Sequence, residues 1–312
     1  MTAALAVAQG FAVPNDARRA EAEAEARAVI EKLSPDEKVE MLMMDNPEIK
    51  RLGLPRFHWW SEALHGYARS GLATVFPQAI GRGATFDAEL EHRVADAIST
   101  EARAKVNLYR AQGERGGNHC LSLWSPNVNM DRDPRWGRGQ ETFGEDPYLT
   151  SRMGVAFVKG IQGDDPKYLK AIACAKHYAV HSGPEAKRHR FNVNLDDRDL
   201  YEYYLPAFKA LVTEAKVESV MGAYSAVNGI PCCANKRLLT DILRGEWGFN
   251  GIVTTDWWTR GEHWREVNAG NDLKMANGYP ETVLDAVADG RVSKEQVRAC
   301  AKRILELILK MD

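Results

Sequence analysis

A single carboxylate, Asp256, ends a short β-branched run at residues 251–255. The run has the length and composition of a buried parallel strand. In a barrel of parallel strands, catalytic groups gather where the strands end. Two indoles, Trp257 and Trp258, follow at once, and an acid beside flat aromatic surface suggests attack on a sugar ring, or stabilisation of charge on it. Alternatively, Asp256 caps the next helix and both tryptophans belong to the core.

Polar side chains also follow three other short apolar runs. They are Glu62 after residues 57–60, Lys176 and His177 after residues 171–175, and Tyr224 at the end of residues 217–224. Strands of a parallel barrel end at one face, so these groups are expected near Asp256. A buried lysine is costly unless it is paired, which favours a functional role for Lys176. His177 could instead be a hydrogen-bonded histidine of the core.

The loop at residues 131–142 combines charges of both signs with Trp136 and Arg138, and it has glycines at 137 and 139. A plain solvated loop would need neither the tryptophan nor the glycines. The composition therefore favours a structured loop that faces a ligand, with a solvated loop as the alternative.

Several classes of function lack their sequence signatures. There is no GxGxxG or GxxxxGK[ST] phosphate loop, and the five cysteines form no CxxC pair. His177 and His181 lie four residues apart, but no HExxH motif is present. We therefore expect no cofactor and no metal. The net charge of −2 and the lack of a long apolar run argue against nucleic-acid and membrane partners. Indoles and hydroxyl-binding groups without a phosphate site suit a neutral sugar.

Apolar runs alternate with helix-like stretches, which predicts helices around a parallel sheet. The strands are expected near residues 57–60, 121–124, 171–175, 217–224 and 251–255, with a weaker one at 266–275 and hidden ones at 74–80 and 190–195. The helices are expected near residues 16–33, 87–105, 148–160, 196–214 and 236–244, and after the caps Ser34 and Ser293. The predicted fold class is α/β, a TIM-type (β/α)8 barrel in which one strand is irregular or missing.

Four motifs stand in the order found in a known family. They are residues 62–66 (EALHG), residues 133–142 (DPRWGRGQET), the pair Lys176-His177, and Thr255-Asp256-Trp257. Together they resemble the N-terminal barrel of glycoside hydrolase family 3, the β-glucosidase and β-xylosidase group. The similarity runs from about residue 34 to about residue 275. It implies an N-terminal helical extension at 1–33 and a catalytic barrel at 34–312.

The resemblance also implies a role for each matching position. Asp256 matches the nucleophile of a retaining glycosidase, which forms a covalent glycosyl-enzyme. The positions that match sugar-binding residues are Glu62, Arg138, Lys176, His177, Arg188, Tyr224 and Trp257. The charges of Lys176 and Arg138 are expected to keep Asp256 ionised.

The acid/base is the weak part of the resemblance. In the β-glucosidase and β-xylosidase group it usually comes from a second α/β domain after the barrel, and we expect that domain to be absent here. His189 falls where one branch of the family has an acid/base histidine, but Lys187 replaces the aspartate that assists it. Glu141, Glu185 and Glu262 are weaker candidates. Weak activity, mainly on activated aryl glycosides, is the expectation.

The sequence therefore predicts a retaining exo-acting β-xylosidase or β-glucosidase that acts on β-linked oligosaccharides or aryl β-glycosides. Glu62 is one methylene longer than the aspartate of many β-glucosidases, which favours a xyloside mildly. The main alternative is a non-catalytic sugar-binding barrel; an enzyme of phosphorylated metabolites fits poorly. Self-association through a surface left by the second domain is a further hypothesis. The resemblance implies a periplasmic or extracellular location, although residues 1–10 lack the charged start of a complete signal peptide.

Overall fold

The computed structural model describes residues 16–165 and 168–311, and its strands build mainly parallel pairs. The strands are β1 (Asp45–Asn46), β2 (Phe57–His58), β3 (Ser122–Leu123), β4 (Ile172–Tyr178), β5 (Asn192–Val193), β6 (Ser219–Gly222), β7 (Ala226–Val227), β8 (Ile230–Pro231) and β9 (Ile252–Thr254). β3, β4, β6 and β9 form one parallel sheet in that order. All four strands are buried along their whole length, which explains why they read as continuous apolar runs.

Single bridges and one antiparallel pair continue this sheet at both edges. Leu123 bridges Ser61 beyond β3, and Thr254 bridges Leu273 beyond β9. Lys274 bridges Met43, and β1 pairs antiparallel with β2. The arrangement is a TIM-type α/β barrel in which regular parallel pairing covers only four strands and the first pair is reversed. The predicted fold class, with one irregular strand, is confirmed.

Neither of the two hidden strands belongs to the barrel sheet. Residues 74–78 are irregular and residues 79–83 are helical, because the apolar side chains of this stretch, such as Val75, lie largely in solvent. Residues 190–195 contain β5, but β5 pairs with β7 in a separate three-stranded sheet with β8. The weak run at 266–275 supplies only the bridges at its end, and most of its first part is helical.

Helices flank the sheet close to the predicted positions. They are α1 (Asp16–Ile30), α2 (Pro35–Glu40), α3 (Ala79–Gly83), α4 (Ala88–Ala111), α5 (Pro147–Gln162), α6 (Asp197–Asp199), α7 (Pro206–Thr213), α8 (His263–Ala269), α9 (Pro280–Ala288) and α10 (Lys294–Leu309). Two π-helical segments are present in the described residues, Leu200–Tyr204 and Arg237–Glu246. The described residues also contain four 3-10 turns: Lys50–Leu52, Gly139–Glu141, Glu185–Lys187 and Cys232–Ala234. Ser34 forms the predicted capping box with Glu37, and Ser293 caps α10.

The helix α1 packs against α10. Ala22, Ala26 and Ile30 are fully buried on it. An ion pair between Glu23 and Lys302 (3.0 Å) joins the two helices at their surface. The described part of the predicted N-terminal extension, residues 16–33, therefore packs against the last helix of the barrel. The apolar start at residues 1–10 lies outside the described residues. Within 16–165 and 168–311, no helix is long and apolar enough to span a bilayer.

Candidate active site

Asp256 lies directly after β9, as predicted, and only 6% of it is exposed. Its Oδ1 accepts the backbone N–H of Trp257 at 2.6 Å. Its Oδ2 has no hydrogen-bond partner within the described ranges, and His177 Nε2 lies 3.7 Å from it. The main chain therefore holds one carboxylate oxygen and leaves the other available to a ligand.

Burial sets the ionisation of this carboxyl group. It raises the pKa of Asp256 to about 6, although the Trp257 N–H, Arg138 and Lys176 all favour the ionised form. The two cations thus act in the expected direction, but burial outweighs them. Asp256 is mostly ionised at neutral pH and becomes protonated in mild acid.

Arg138 connects the loop at 131–142 to the Lys176-His177 pair. Its Nε and Nη2 donate to Glu141 at 2.9 and 2.7 Å, a bidentate pair that fixes the guanidinium plane. Its Nη1 lies 3.2 Å from His177 Nε2. Burial alone would raise the pKa of Glu141, but Arg138 outweighs it and holds that pKa below its ordinary value. Glu141 is therefore an anchor for Arg138.

Lys176 and Glu62 form the second charged pair of the site. Lys176 Nζ lies 3.6 Å from Glu62 Oε2, and the lysine side chain is only 3% exposed. Trp60 Nε1 donates to Glu62 Oε1 at 3.2 Å. The Lys176 Nζ–Glu62 distance is longer than a hydrogen bond, so both groups keep capacity for the hydroxyls of a ligand.

Three indoles build one wall of the site. Trp257 packs against Trp60 at 4.6 Å and against Trp124 at 5.8 Å between ring centroids. Trp258 meets Trp257 edge-on at 5.3 Å and is 61% exposed. Trp257 therefore belongs to an aromatic surface beside the carboxylate, and the alternative that both tryptophans are core residues does not hold for Trp258.

Three further predicted site residues follow the Lys176-His177 pair in the sequence: Arg188, His189 and Tyr224. Burial and the nearby Asp256 carboxylate raise the pKa of Tyr224. Arg188 pairs with Glu185 at 2.8 Å. His189 is exposed and rests edge-on against the Tyr224 ring at 4.2 Å.

The loop at 131–142 is structured, as its composition predicted. Trp136 is buried and meets the His181 ring edge-on at 5.7 Å. A Cβ at Gly139 would lie 2.7 Å from Asp131 Oδ1, so a larger residue there would have to displace the Asp131 carboxylate. The 3-10 turn that starts at Gly139 carries Glu141 towards Arg138.

Comparison with known proteins identifies the family. The profile of the glycosyl hydrolase family 3 N-terminal domain matches residues 30–307. The chain belongs to glycosyl hydrolase family 3. It is 46% identical over 294 residues to a xylan 1,4-β-xylosidase of Xylanibacter ruminicola, a match that covers 88% of this chain and 34% of the relative. It is 42% identical over 244 residues to β-D-xylosidase 3 of Arabidopsis thaliana, covering 73% and 30%.

Solved family 3 structures share the fold of this chain. A family 3 exo-β-xylosidase, solved with a xylobiose aziridine activity-based probe, superimposes with a TM-score of 0.84 at 33% identity. That match covers 93% of this chain and 40% of the xylosidase. A family 3 β-glucosidase of Bifidobacterium adolescentis gives 0.79 at 30% identity, covering 90% and 40%. The chain thus spans about a third to two fifths of the length of these relatives.

One group in this family 3 barrel has the donors of a metal site. Ligand atoms of His177, His181 and Asp256 lie within 4.8 Å of one another. The guanidinium of Arg138 already occupies the neighbourhood of His177 Nε2 at 3.2 Å. A fixed cation there opposes a second one, so the donor set does not suit a metal ion.

The acid/base candidates named from the sequence are poorly placed for that task. Burial, Arg188 and Arg260 lower the pKa of His189, which disfavours the imidazolium form that a general acid needs. Glu141 and Glu185 are tied to Arg138 and Arg188. Glu262 pairs with Arg265 at 2.7 Å. Each of these glutamates is thus engaged in an ion pair with a neighbouring arginine.

Sequence reasoning missed two residues that organise this site. Trp124 ends a predicted strand, but nothing in the sequence tied its indole to Trp257. Asn129 is 2% exposed and its Oδ1 accepts the His177 backbone N–H, but the sequence gave no sign of this link. Their roles depend on contacts between distant segments, which spacing along the chain does not reveal.

Proposed function

We propose that this family 3 barrel carries out retaining, exo-acting β-glycoside hydrolysis with Asp256 as the nucleophile. The observation that carries the proposal is the buried Asp256 carboxylate: its Oδ2 has no hydrogen-bond partner among the described residues, His177 Nε2 lies 3.7 Å from it, and the charges of Arg138 and Lys176 favour its ionised form. In the first step, Oδ2 attacks the anomeric carbon and the bond to the leaving oxygen breaks. Water then releases the sugar, with retention of configuration.

The surrounding groups suit a monosaccharide unit. We infer that Arg138, Lys176, His177 and Glu62 bind its hydroxyls, because they present charged donors and acceptors in a largely buried setting. Trp257 supplies a flat face for the sugar ring. Arg188 and Tyr224 close the side near Asp256, and the Tyr224 hydroxyl steadies the carboxylate that attacks.

For the substrate, we propose a β-xyloside ahead of a β-glucoside. The xylan 1,4-β-xylosidase of Xylanibacter ruminicola is the relative at 46% identity, and the exo-β-xylosidase is the structure at TM-score 0.84. Glu62, one methylene longer than aspartate, is held by Trp60 and Lys176 and reaches further into the site. A sugar without a hydroxymethyl group at C5 leaves room for that extra length.

Covalent labelling tests this function directly. A 2-fluoro-β-xyloside with a good leaving group should add one fluoroxylosyl unit to the chain, and peptide mass mapping should place it on Asp256. Asp256→Asn should abolish the label. Asp241→Asn is the matched control, because Asp241 is an exposed aspartate paired with Lys236 and should leave labelling unchanged.

The alternative, a sugar-binding barrel without catalysis, makes a different prediction. It expects xylose or xylobiose to bind by calorimetry while the 2-fluoro compound leaves no covalent mass on the protein. A label on a residue other than Asp256 would contradict both hypotheses.

A further inference from the structure

Asn129 uses all of its hydrogen-bonding capacity on the strand that carries His177. Its Oδ1 accepts the His177 backbone N–H at 2.8 Å and lies 3.1 Å from His177 Nδ1. Its Nδ2 donates to the carbonyl oxygens of His177 at 2.9 Å and Ala179 at 3.2 Å. These contacts join residue 129, after β3, to the end of β4.

The backbone contacts fix which way the amide points. A peptide N–H can only donate and a carbonyl oxygen can only accept, so Oδ1 and Nδ2 of Asn129 cannot be exchanged. The His177 Nδ1 therefore faces an acceptor and must carry a proton. On the other side of the ring, Nε2 faces Arg138 Nη1 at 3.2 Å, and a guanidinium can only donate. Two independent neighbours thus require the same tautomer.

The charges around the ring favour its neutral form. The charges that act on His177 are those of Arg138, Lys176, His181 and Arg188, while the Asp256 carboxylate lies 3.7 Å from its Nε2. Burial is the largest influence, and together with these cations it holds the pKa of His177 well below its ordinary value. The ring therefore stays neutral across the working pH range of the site.

We propose that Asn129 is a positioning residue that fixes His177 as the neutral Nδ1–H tautomer. This inference rests on the proposed function, because its consequence concerns the nucleophile. The opposite tautomer would direct an N–H from Nε2 towards the Arg138 guanidinium and towards Asp256 Oδ2, 3.7 Å away. That N–H would bind the oxygen that must attack and would weaken it as a nucleophile. With Nδ1 protonated, Nε2 offers a lone pair to Arg138 and to a sugar hydroxyl.

Two variants separate the acceptor of Asn129 from its donors. Asn129→Asp keeps an oxygen opposite His177 Nδ1 and loses the donors to both carbonyls. Asn129→Leu has a similar size and loses the acceptor as well. Asn46→Asp is the matched control, since Asn46 is equally buried and also donates to backbone carbonyls, those of Met41 and Met43.

The measurement is the ¹⁵N chemical shift of the histidine ring nitrogens, with His177 assigned by its loss in His177→Gln. The wild-type chain and Asn129→Asp should show a protonated Nδ1 and a bare Nε2 at pH 7. Asn129→Leu should show a mixture of tautomers. A protonated Nε2 in the wild-type chain would overturn the proposal, and this spectrum decides the question even if a variant misfolds. A wild-type pattern in Asn129→Leu would also overturn it, because Arg138 alone would then set the tautomer.

The rate of labelling by the 2-fluoro-β-xyloside supplies a second readout. Loss of a group that orients a site histidine typically costs about 10–100-fold. We expect a fall in that range for Asn129→Leu, in the rate at saturating reagent more than in its apparent affinity, and no change for Asn46→Asp. If the wild-type chain is not labelled at all, the proposed function is wrong. The ¹⁵N shifts would still decide independently whether Asn129 fixes the tautomer of His177.

Discussion

Burial of Asp256 determines the pH at which this side chain can attack. Its pKa is raised to about 6 from an ordinary value of 3.8, and only the ionised form is a nucleophile. The second-order rate of labelling by a 2-fluoro-β-xyloside reports on the free protein. We expect this rate to rise with pH through about 6 and to fall about tenfold per unit below pH 5.

The rate should be measured from pH 4 to pH 8 at constant ionic strength, with circular dichroism confirming that the chain stays folded. A midpoint near pH 4 would contradict the argument, because it would mean that Arg138 and Lys176 outweigh burial. In a separate test, Lys176→Met should move the midpoint of the pH profile to higher pH, because it removes one cation that favours the ionised Asp256 carboxylate.

At the scale of single residues, the sequence was informative where a side chain followed a short buried apolar run. Asp256 lies just beyond the end of β9, as expected, whereas Lys176 and His177 were predicted to follow a strand and instead lie inside the last part of β4, because that strand continues to Tyr178. Asn129 and Glu141 were not recognised as partners of His177 and Arg138. Each of them acts through hydrogen bonds to one specific partner, and these depend on the folded structure. The residue types themselves are common in polar loops and give no hint of the partner.

At the scale of elements, the loop after Asp256 depends on a buried ion pair behind it. Lys274 Nζ donates to Thr259 Oγ1 at 2.9 Å and to Glu266 Oε2 at 2.7 Å, and both charged side chains are 1% exposed. Within this loop Trp258 has a φ of +57°, a conformation that is strained for a tryptophan. The contact between Lys274 and Thr259 therefore ties this loop to the buried ion pair.

Removing one member of this pair should be worse than removing both. Lys274→Met leaves the Glu266 carboxylate buried without its cation and should lower the free energy of unfolding by about 3–5 kcal/mol. Lys274→Met combined with Glu266→Met should lower it by less than the single change. Urea unfolding followed by tryptophan fluorescence measures both values. A double variant as unstable as the sum of the single ones would contradict a direct interaction between Lys274 and Glu266.

Strand prediction failed where pairing is short or irregular. β1 is a polar dipeptide and gives no hydrophobic signal, although it pairs with β2. Residues 74–80 contain apolar side chains that remain exposed, so composition misled there. Residues 190–195 do contain a strand, but the sequence could not show that it belongs to a second sheet. Local patterns indicate which residues favour a strand, whereas the partner depends on the tertiary fold.

At the scale of the whole molecule, comparing substrates with different leaving groups should reveal whether a general acid acts in this site. The pKa of His189 is lowered, and Glu141, Glu185 and Glu262 each form an ion pair with an arginine. General acid–base assistance is worth about 10²–10⁴-fold, and in the first step only leaving groups that need protonation depend on it. We therefore expect the 312-residue chain to act on a dinitrophenyl β-xyloside while methyl β-xyloside reacts more slowly by a factor beyond the intrinsic difference in their leaving groups.

Azide provides the decisive addition to that comparison. A small anion can replace water in the second step without help from a general base, so it should speed turnover of the dinitrophenyl substrate and give a β-xylosyl azide. Asp256→Asn should remove both the turnover and the azide product, because neither arises without the covalent intermediate. Rapid hydrolysis of methyl β-xyloside with no response to azide would show that a proton donor acts within this chain. His189→Gln would then be the first variant to examine, because its exposed ring rests on Tyr224 beside the nucleophile.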